Sequence, residues 1–143
     1  MAIIDKFNMF SEEQAITVTA ASTNIIDLGV DRDIGSGEPI ELVIKVNEAF
    51  TASGAATLTI DVETDNDSAF GSANTIASSG AIGKAALTAG SEHLKIRVPM
   101  TTERYLRLNY TVATGPMTAG ALTAGLQLSR QDNRAYPSGF SVD

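Results

Sequence analysis

The chain has 143 residues, a formal net charge of −7 at pH 7 and a hydrophobic content of 43%. This length fits one domain that buries its own core, and the acidic balance argues against direct binding to nucleic acid or to an anionic membrane. The sequence contains no cysteine, which excludes disulfide frameworks and thiolate catalysis and removes most zinc sites.

Residues 1–13 show no strand periodicity. Their apolar residues recur at helix-like spacing, so we predict an N-terminal arm with at most a short helical turn, which either packs on its own domain or docks on a partner. The arm contains Asp5 and no basic leader before an apolar stretch, unlike a secretory signal. No apolar run approaches the ~20 residues that span a bilayer, and we expect synthesis in a cytoplasm.

Several stretches within residues 14–129 alternate apolar and polar side chains with the period of half-buried strands. The clearest stretch is 104–112, where Leu106, Leu108 and Tyr110 share one face, and it is predicted to be a central strand. The other predicted strands are 14–20, with Ile16 and Val18 inward, and 25–28, 40–46, 57–64, 93–98 and 121–129. Residues 31–39 predict a polar surface loop, and the Ala-, Ser- and Gly-rich residues 72–90 predict short, irregular edge strands.

About eight short strands without a convincing long helix predict an all-β fold. We expect a two-sheet antiparallel sandwich of jelly-roll type, with an immunoglobulin-like sandwich as the alternative. The domain organisation follows as an extended N-terminal arm (1–13), a β-sandwich (14–129) and a C-terminal tail (130–143).

The sequence offers few groups for catalysis or metal binding. His93 is the one histidine and lies on the outward face of a predicted strand, and no Gly-x-Ser-x-Gly elbow accompanies it. The acidic residues between Asp61 and Asp67 could supply oxygen ligands for calcium, but the EF-hand spacing fails, so a solvated strand face and a turn are the better interpretation. We therefore predict no catalytic residues, no metal and no cofactor, and a protein that is not an enzyme.

Four stretches carry a family resemblance: 10–16 (FSEEQAI), 23–29 (TNIIDLG), 37–43 (GEPIELV) and 105–112 (YLRLNYTV), the last followed by the turn at 118–120 (TAG). Together they resemble the jelly-roll cement, or decoration, proteins that coat the heads of tailed bacteriophages. The resemblance implies a virion protein on the capsid exterior, made in the host cytoplasm, that binds the outer surface of the assembled major capsid protein lattice and stabilises the head. It also implies a small homo-oligomer, for which we favour a dimer over a trimer.

An alternative function is a phage head-fibre module or a receptor- or carbohydrate-binding β-sandwich. Sugar-binding clefts commonly stack sugar rings on aromatic side chains, and this chain has no Trp and three Tyr. Carbohydrate binding is therefore the weaker hypothesis.

The arm and the tail are the predicted partner-binding segments. Ordering the backbone costs roughly 1–2 kcal/mol per residue, and each large apolar side chain returns about 1.5–3 kcal/mol when fully buried. The candidate partner-binding residues are Ile3, Ile4, Phe7, Met9, Phe10, Arg130, Arg134, Tyr136 and Phe140. We expect the sandwich to fold without residues 2–10.

Overall fold

Two antiparallel sheets pack face to face in the computed structural model, which describes residues 4–34, 36–100 and 102–128. Short 3₁₀ turns lie at Lys6–Asn8 and Lys84–Ala86. The strands of the described residues are β1 (Met9–Ala15), β2 (Ala20–Ala21), β3 (Ile26–Asp27), β4 (Glu41–Thr51), β5 (Thr57–Asp65), β6 (Asn74–Ser78), β7 (Ile82–Gly83), β8 (Glu92–Arg97), β9 (Tyr105–Ala113) and β10 (Ala119–Gln127).

The order of the strands is that of a jelly roll. One sheet has the order β1-β10-β4-β8 and the other β2-β9-β5-β6, with β3 also paired to β9 and β7 to β5. Because β2 and β3 follow one another along β9, and β6 and β7 along β5, each pair is one interrupted strand, and the described residues then contain eight. Every connection except β5 to β6 crosses from one sheet to the other, as in a jelly roll, which confirms the predicted fold.

Strand β9 is central, as predicted. It pairs with β5 from Thr57↔Ala113 to Asp65↔Tyr105, and with β2 and β3 on its other side. The side chains of Leu106, Leu108 and Tyr110 are buried between the sheets. Regular alternation along this strand therefore corresponds to one face in the core and one face toward solvent.

The first strand begins earlier than predicted, which corrects the boundary of the arm at residue 13. Strand β1 starts at Met9 and pairs with β10, and Phe10 is only 1% exposed. Two register irregularities and the positive φ of Glu13 (46°) interrupt the period of two, so this strand has no alternating pattern in the sequence. Deletion of residues 2–10 would remove the start of a core strand, so the structure argues against the expectation that the sandwich folds normally without them.

The predicted strand 14–20 is also corrected. Ile16 is buried, but Val18 is exposed, and residues 16–19 form the link that crosses from β1 to β2 in the other sheet. The backbone N–H of Ile16 donates to Gly120 O, and Met117 N–H donates to Thr17 O. The link is thus bonded to the beginning of β10 and the loop before it, and it does not continue a strand.

Candidate functional site

The two ends of the sandwich differ in charge. At one end lie the segments 27–40, 65–73 and 98–104, together with residues 4–8 before β1 and Leu128 after β10, and we call this the acidic end. Its three loop segments contain seven acidic and two basic residues, a formal net charge of −5. The loops at the opposite end, 16–19, 52–56, 84–91 and 114–118, contain one charged residue, Lys84. Most of the net charge of the chain is therefore concentrated at one end.

Hydrogen bonds hold the loops of the acidic end together. Thr102 donates its backbone N–H to Asp33 Oδ1 at 3.1 Å and its hydroxyl to the carbonyl of Arg32. Asn66 Nδ2 donates to Asp31 Oδ2 at 3.2 Å. The segment 27–40 is thus tied to each of the other two loops, and the end presents a defined surface.

Arg104 forms an ion pair with Asp27 of β3 at the acidic end. Its Nε and Nη2 donate to the two carboxylate oxygens of Asp27 at 2.9 and 3.1 Å, and Gly29 N–H donates to the same carboxylate at 2.8 Å. The hydrogen bond from Arg104, followed by that from Gly29, holds the pKa of the Asp27 carboxyl below its usual value. A bidentate guanidinium–carboxylate pair of this kind fixes the orientation of both side chains.

Asp65 organises the turn after β5. Its carboxylate accepts hydrogen bonds from the backbone N–H of Asp67 at 3.0 Å and of Ser72 at 2.9 Å. These bonds, with that from Asp67 the largest cause, lower the pKa of the Asp65 carboxyl. The Asp65 carboxylate therefore stabilises the turn through hydrogen bonds to its backbone.

Other members of the predicted acidic cluster also have partners within the fold. Glu63 Oε2 accepts from Arg107 Nε at 2.7 Å, and the Arg107 guanidinium lies 4.2 Å from the centre of the Phe70 ring. The Asp67 carboxylate accepts from Ala69 N–H at 3.0 Å. Residues 4–34, 36–100 and 102–128 contain no group of three or more His, Asp or Glu side chains placed to hold a metal ion.

His93 is half-buried, and its Nε2 lies 3.0 Å from Ser91 Oγ. It lies on β8, in the sheet register opposite Ile44. Within the described part of the chain, no helix is long and apolar enough to span a membrane.

Exposed apolar side chains concentrate at the acidic end. Among residues 4–34, 36–100 and 102–128, six large apolar side chains are exposed. The acidic end carries four of them, Phe7, Val30, Met100 and Leu128. A fifth, Ile25, lies beside Phe7. The sixth, Val18, lies at the opposite end. The acidic end therefore combines a charged rim with apolar groups that can be buried by a partner.

The N-terminal segment supplies the most exposed of these groups. Phe7 is 90% exposed in the 3₁₀ turn, where Asp5 Oδ1 accepts its backbone N–H at 3.0 Å and Lys6 pairs with Glu12. Phe7 and Ile25 both line a shallow, open depression. The ring is thus held by an ordered turn and is free to contact another molecule.

The remaining predicted arm residues have different positions. Ile4 is half-buried against β10, where a Cβ added at Gly125 would lie 2.8 Å from Ile4 Cγ2. Met9 and Phe10 are buried in the protein's own fold, which corrects the prediction that these two side chains dock on a partner. The predicted residues Ile3, Arg130, Arg134, Tyr136 and Phe140 lie outside the described residues.

A second feature of the acidic end is an apolar groove of about 160 Å³ where the two sheets open, which we call the end groove. Its apolar lining is Ile26, Leu28, Ile34, Ile40, Leu126 and Leu128. The sequence predicted a polar surface loop at 31–39, and Ile34 within it was the signal that this loop also has an apolar side. Val30 and Met100 were likewise missed, because isolated apolar residues in loops have no periodicity.

Comparison with known proteins identifies the family. No curated protein matches the sequence. The model of the Bbp16 family matches residues 10–126, which covers the sandwich from β1 to the end of β10. The chain therefore belongs to the Bbp16 family.

Proposed function

We propose that this protein is a bacteriophage capsid decoration protein that binds the outer surface of the assembled major capsid protein lattice and stabilises the head. The sequence resemblance to jelly-roll cement proteins supports this function, and Bbp16 is a phage-associated family name. The observation that carries the proposal is the concentration of exposed apolar side chains at the acidic end, beside both ends of the described chain.

Decoration of a capsid requires a rigid module with one surface that is complementary to the lattice. The loops of the acidic end are cross-linked by hydrogen bonds, so docking there orders few residues and costs little conformational entropy. Burying Phe7 would contribute about 1.5–3 kcal/mol. Because the lattice repeats, a homo-oligomer gains further affinity by binding at several points together, and we propose a dimer in preference to a trimer.

The partner surface is expected to be basic around an apolar centre. A net charge of −5 on the loops of the acidic end favours a basic surface and disfavours an acidic one. Exposed charge pairs are screened by salt, so capsid binding should weaken as the ionic strength rises.

The test is to mix the purified protein with stripped, expanded capsids and to measure occupancy by imaging. We expect saturable binding by the natural chain, loss of occupancy for Phe7→Asp, and unchanged occupancy for the matched control Val18→Asp, which changes an exposed apolar residue at the opposite end. Equal binding by both variants would place the contact elsewhere on the molecule. Failure of the natural chain to bind capsids, together with saturable binding to host cells or glycans, would support the receptor-binding alternative.

A further inference from the structure

We propose that the C-terminal segment, residues 129–143, docks in the end groove of its own chain and inserts one aromatic side chain, that of Tyr136 or Phe140. This inference concerns the isolated protein and does not depend on the proposed function. It rests on the position of the groove, its size, and a buried donor beside it that has no hydrogen-bond partner among the described residues.

The groove lies where the described chain reaches its last residue. Leu126, Gln127 and Leu128 all line it, and residue 129 follows directly. The eight residues from 129 to 136 can span about 26 Å when extended, which is enough to turn and return to the groove. The entropic cost of closing such a short loop is small and grows slowly with its length.

The size and lining of the groove fit an aromatic ring. An apolar cavity of about 150 Å³ accommodates benzene, and the end groove has about 160 Å³ with six aliphatic side chains around it. Between residues 129 and 143 the aromatic residues are Tyr136 and Phe140. Covering the groove with either ring removes apolar surface from water on both sides.

Gln127 supplies a polar contact for a docked segment. Its Nε2 atom is buried and has no hydrogen-bond partner among the described residues. A buried donor is normally paired, because leaving it unpaired forfeits its hydrogen bond to water. A backbone carbonyl of the segment 129–143 would provide the missing acceptor at the edge of the groove.

The segment 129–143 carries no formal net charge, because Arg130 and Arg134 balance Asp132 and Asp143. Its charge therefore does not oppose docking at an end of net charge −5. The same chain is favoured over a second copy, because covalent attachment gives the segment a high effective concentration at its own groove.

The natural sequence allows a clean optical test, because it contains no Trp. Tyr136→Trp and Phe140→Trp each create a protein with a single tryptophan. We expect at least one of them to show blue-shifted emission and protection from a soluble quencher. The emission should stay the same on dilution.

Second substitutions locate the contact. Ile34→Asn and Leu128→Asn both change the groove, and Leu128 is 66% exposed, so its replacement leaves the folded core intact. Each should move the emission of the reporter to that of exposed tryptophan, whereas Val30→Asn, an exposed position in the same loop as Ile34, should not. The proposal is overturned if both reporters emit as exposed tryptophan, if the shift is lost on dilution, which indicates a second copy, or if the shift survives Leu128→Asn.

Discussion

The Ser11 hydroxyl and the Tyr110 phenol lie 2.7 Å apart, and their hydrogen bond joins β1 of one sheet to β9 of the other. Both residues are fully buried. Ser11 Oγ also lies 2.7 Å from Gln14 Oε1, to which it donates. The phenol therefore donates to Ser11, and this polar contact fixes how the two sheets face each other within an otherwise apolar core.

A double-mutant cycle tests the strength of this contact. Ser11→Ala leaves the buried phenol without its partner and should lower the free energy of unfolding by about 1–3 kcal/mol. Tyr110→Phe removes the phenol itself, so adding Ser11→Ala to it should cost much less than Ser11→Ala alone. Urea unfolding of the four proteins measures the coupling. Additive losses would show that the two hydroxyls do not interact.

Tyr110 should also make stability depend on alkaline pH. Burial raises the pKa of the Tyr110 phenol well above its usual value. The phenol of the unfolded chain ionises near pH 10, so the contribution to stability is complete below that pH and is lost as the pH rises above it, by about 1.4 kcal/mol per pH unit. Comparing unfolding of the natural chain and Tyr110→Phe at pH 8 and at about pH 11 isolates this group. The natural chain should lose more stability, and equal losses would contradict the assignment.

Gly120 is required by the close approach of Phe50. A Cβ added at Gly120 would lie 2.4 Å from the Phe50 ring, and the φ of +142° is rarely adopted by other residues. Gly120→Ala should therefore lower the free energy of unfolding by at least about 2 kcal/mol. The matched control is Gly83→Ala, where φ is −67° and no atom lies within 4 Å of the added Cβ. The control should be neutral or stabilising by about 0.4–1 kcal/mol, and similar values for both variants would contradict the steric argument.

The regular strands could be predicted because apolar and polar residues alternate in their sequences. The predicted strands 40–46, 57–64 and 104–112 correspond to β4, β5 and β9. Burial alternates along most of β9, whereas Leu42, Val43 and Ile44 of β4 are all buried. Strand β1 could not be predicted, because its irregular register places Met9, Phe10 and Ser11 all in buried positions. Which residues of a bulged strand are buried depends on its pairing with the neighbouring strand, so the sequence of the strand alone does not predict it.

The candidate site could be predicted only in part. Phe7 stood out in the sequence as a large apolar residue near a terminus. Val30 and Met100 lie in separate loops, and their approach to the same end depends on the order of the strands in the two sheets. No local pattern encodes that convergence, since it arises from pairings between residues far apart in the chain.

The acidic end should lose stability in acid. The Asp27 carboxyl, bonded by Arg104, and the Asp65 carboxyl, bonded by backbone N–H groups, both have pKa values lowered by folding. Their contributions are present above the pKa of an unfolded Asp, about 3.9, and are lost as the pH falls through the lower folded values. The double variant Asp27→Asn, Asp65→Asn should be less stable than the natural chain at pH 6 and should decline less steeply below about pH 4. Urea midpoints across this range measure both, and parallel curves would contradict the prediction.

The two phenylalanines of the N-terminal region should behave as opposites, because Phe10 is 1% exposed in β1 and Phe7 is 90% exposed outside it. Phe10→Ala should lower the free energy of unfolding by about 3–5 kcal/mol through the cavity that it leaves. Phe7→Ala should change the free energy of unfolding by less than about 0.5 kcal/mol. It should, however, weaken the binding of a partner to the acidic end. Denaturation measures the first property and capsid occupancy the second. If Phe7→Ala destabilised the fold as strongly as Phe10→Ala, Phe7 would belong to the core. The folded sandwich would then begin before Met9, and Phe7 would not be a docking residue.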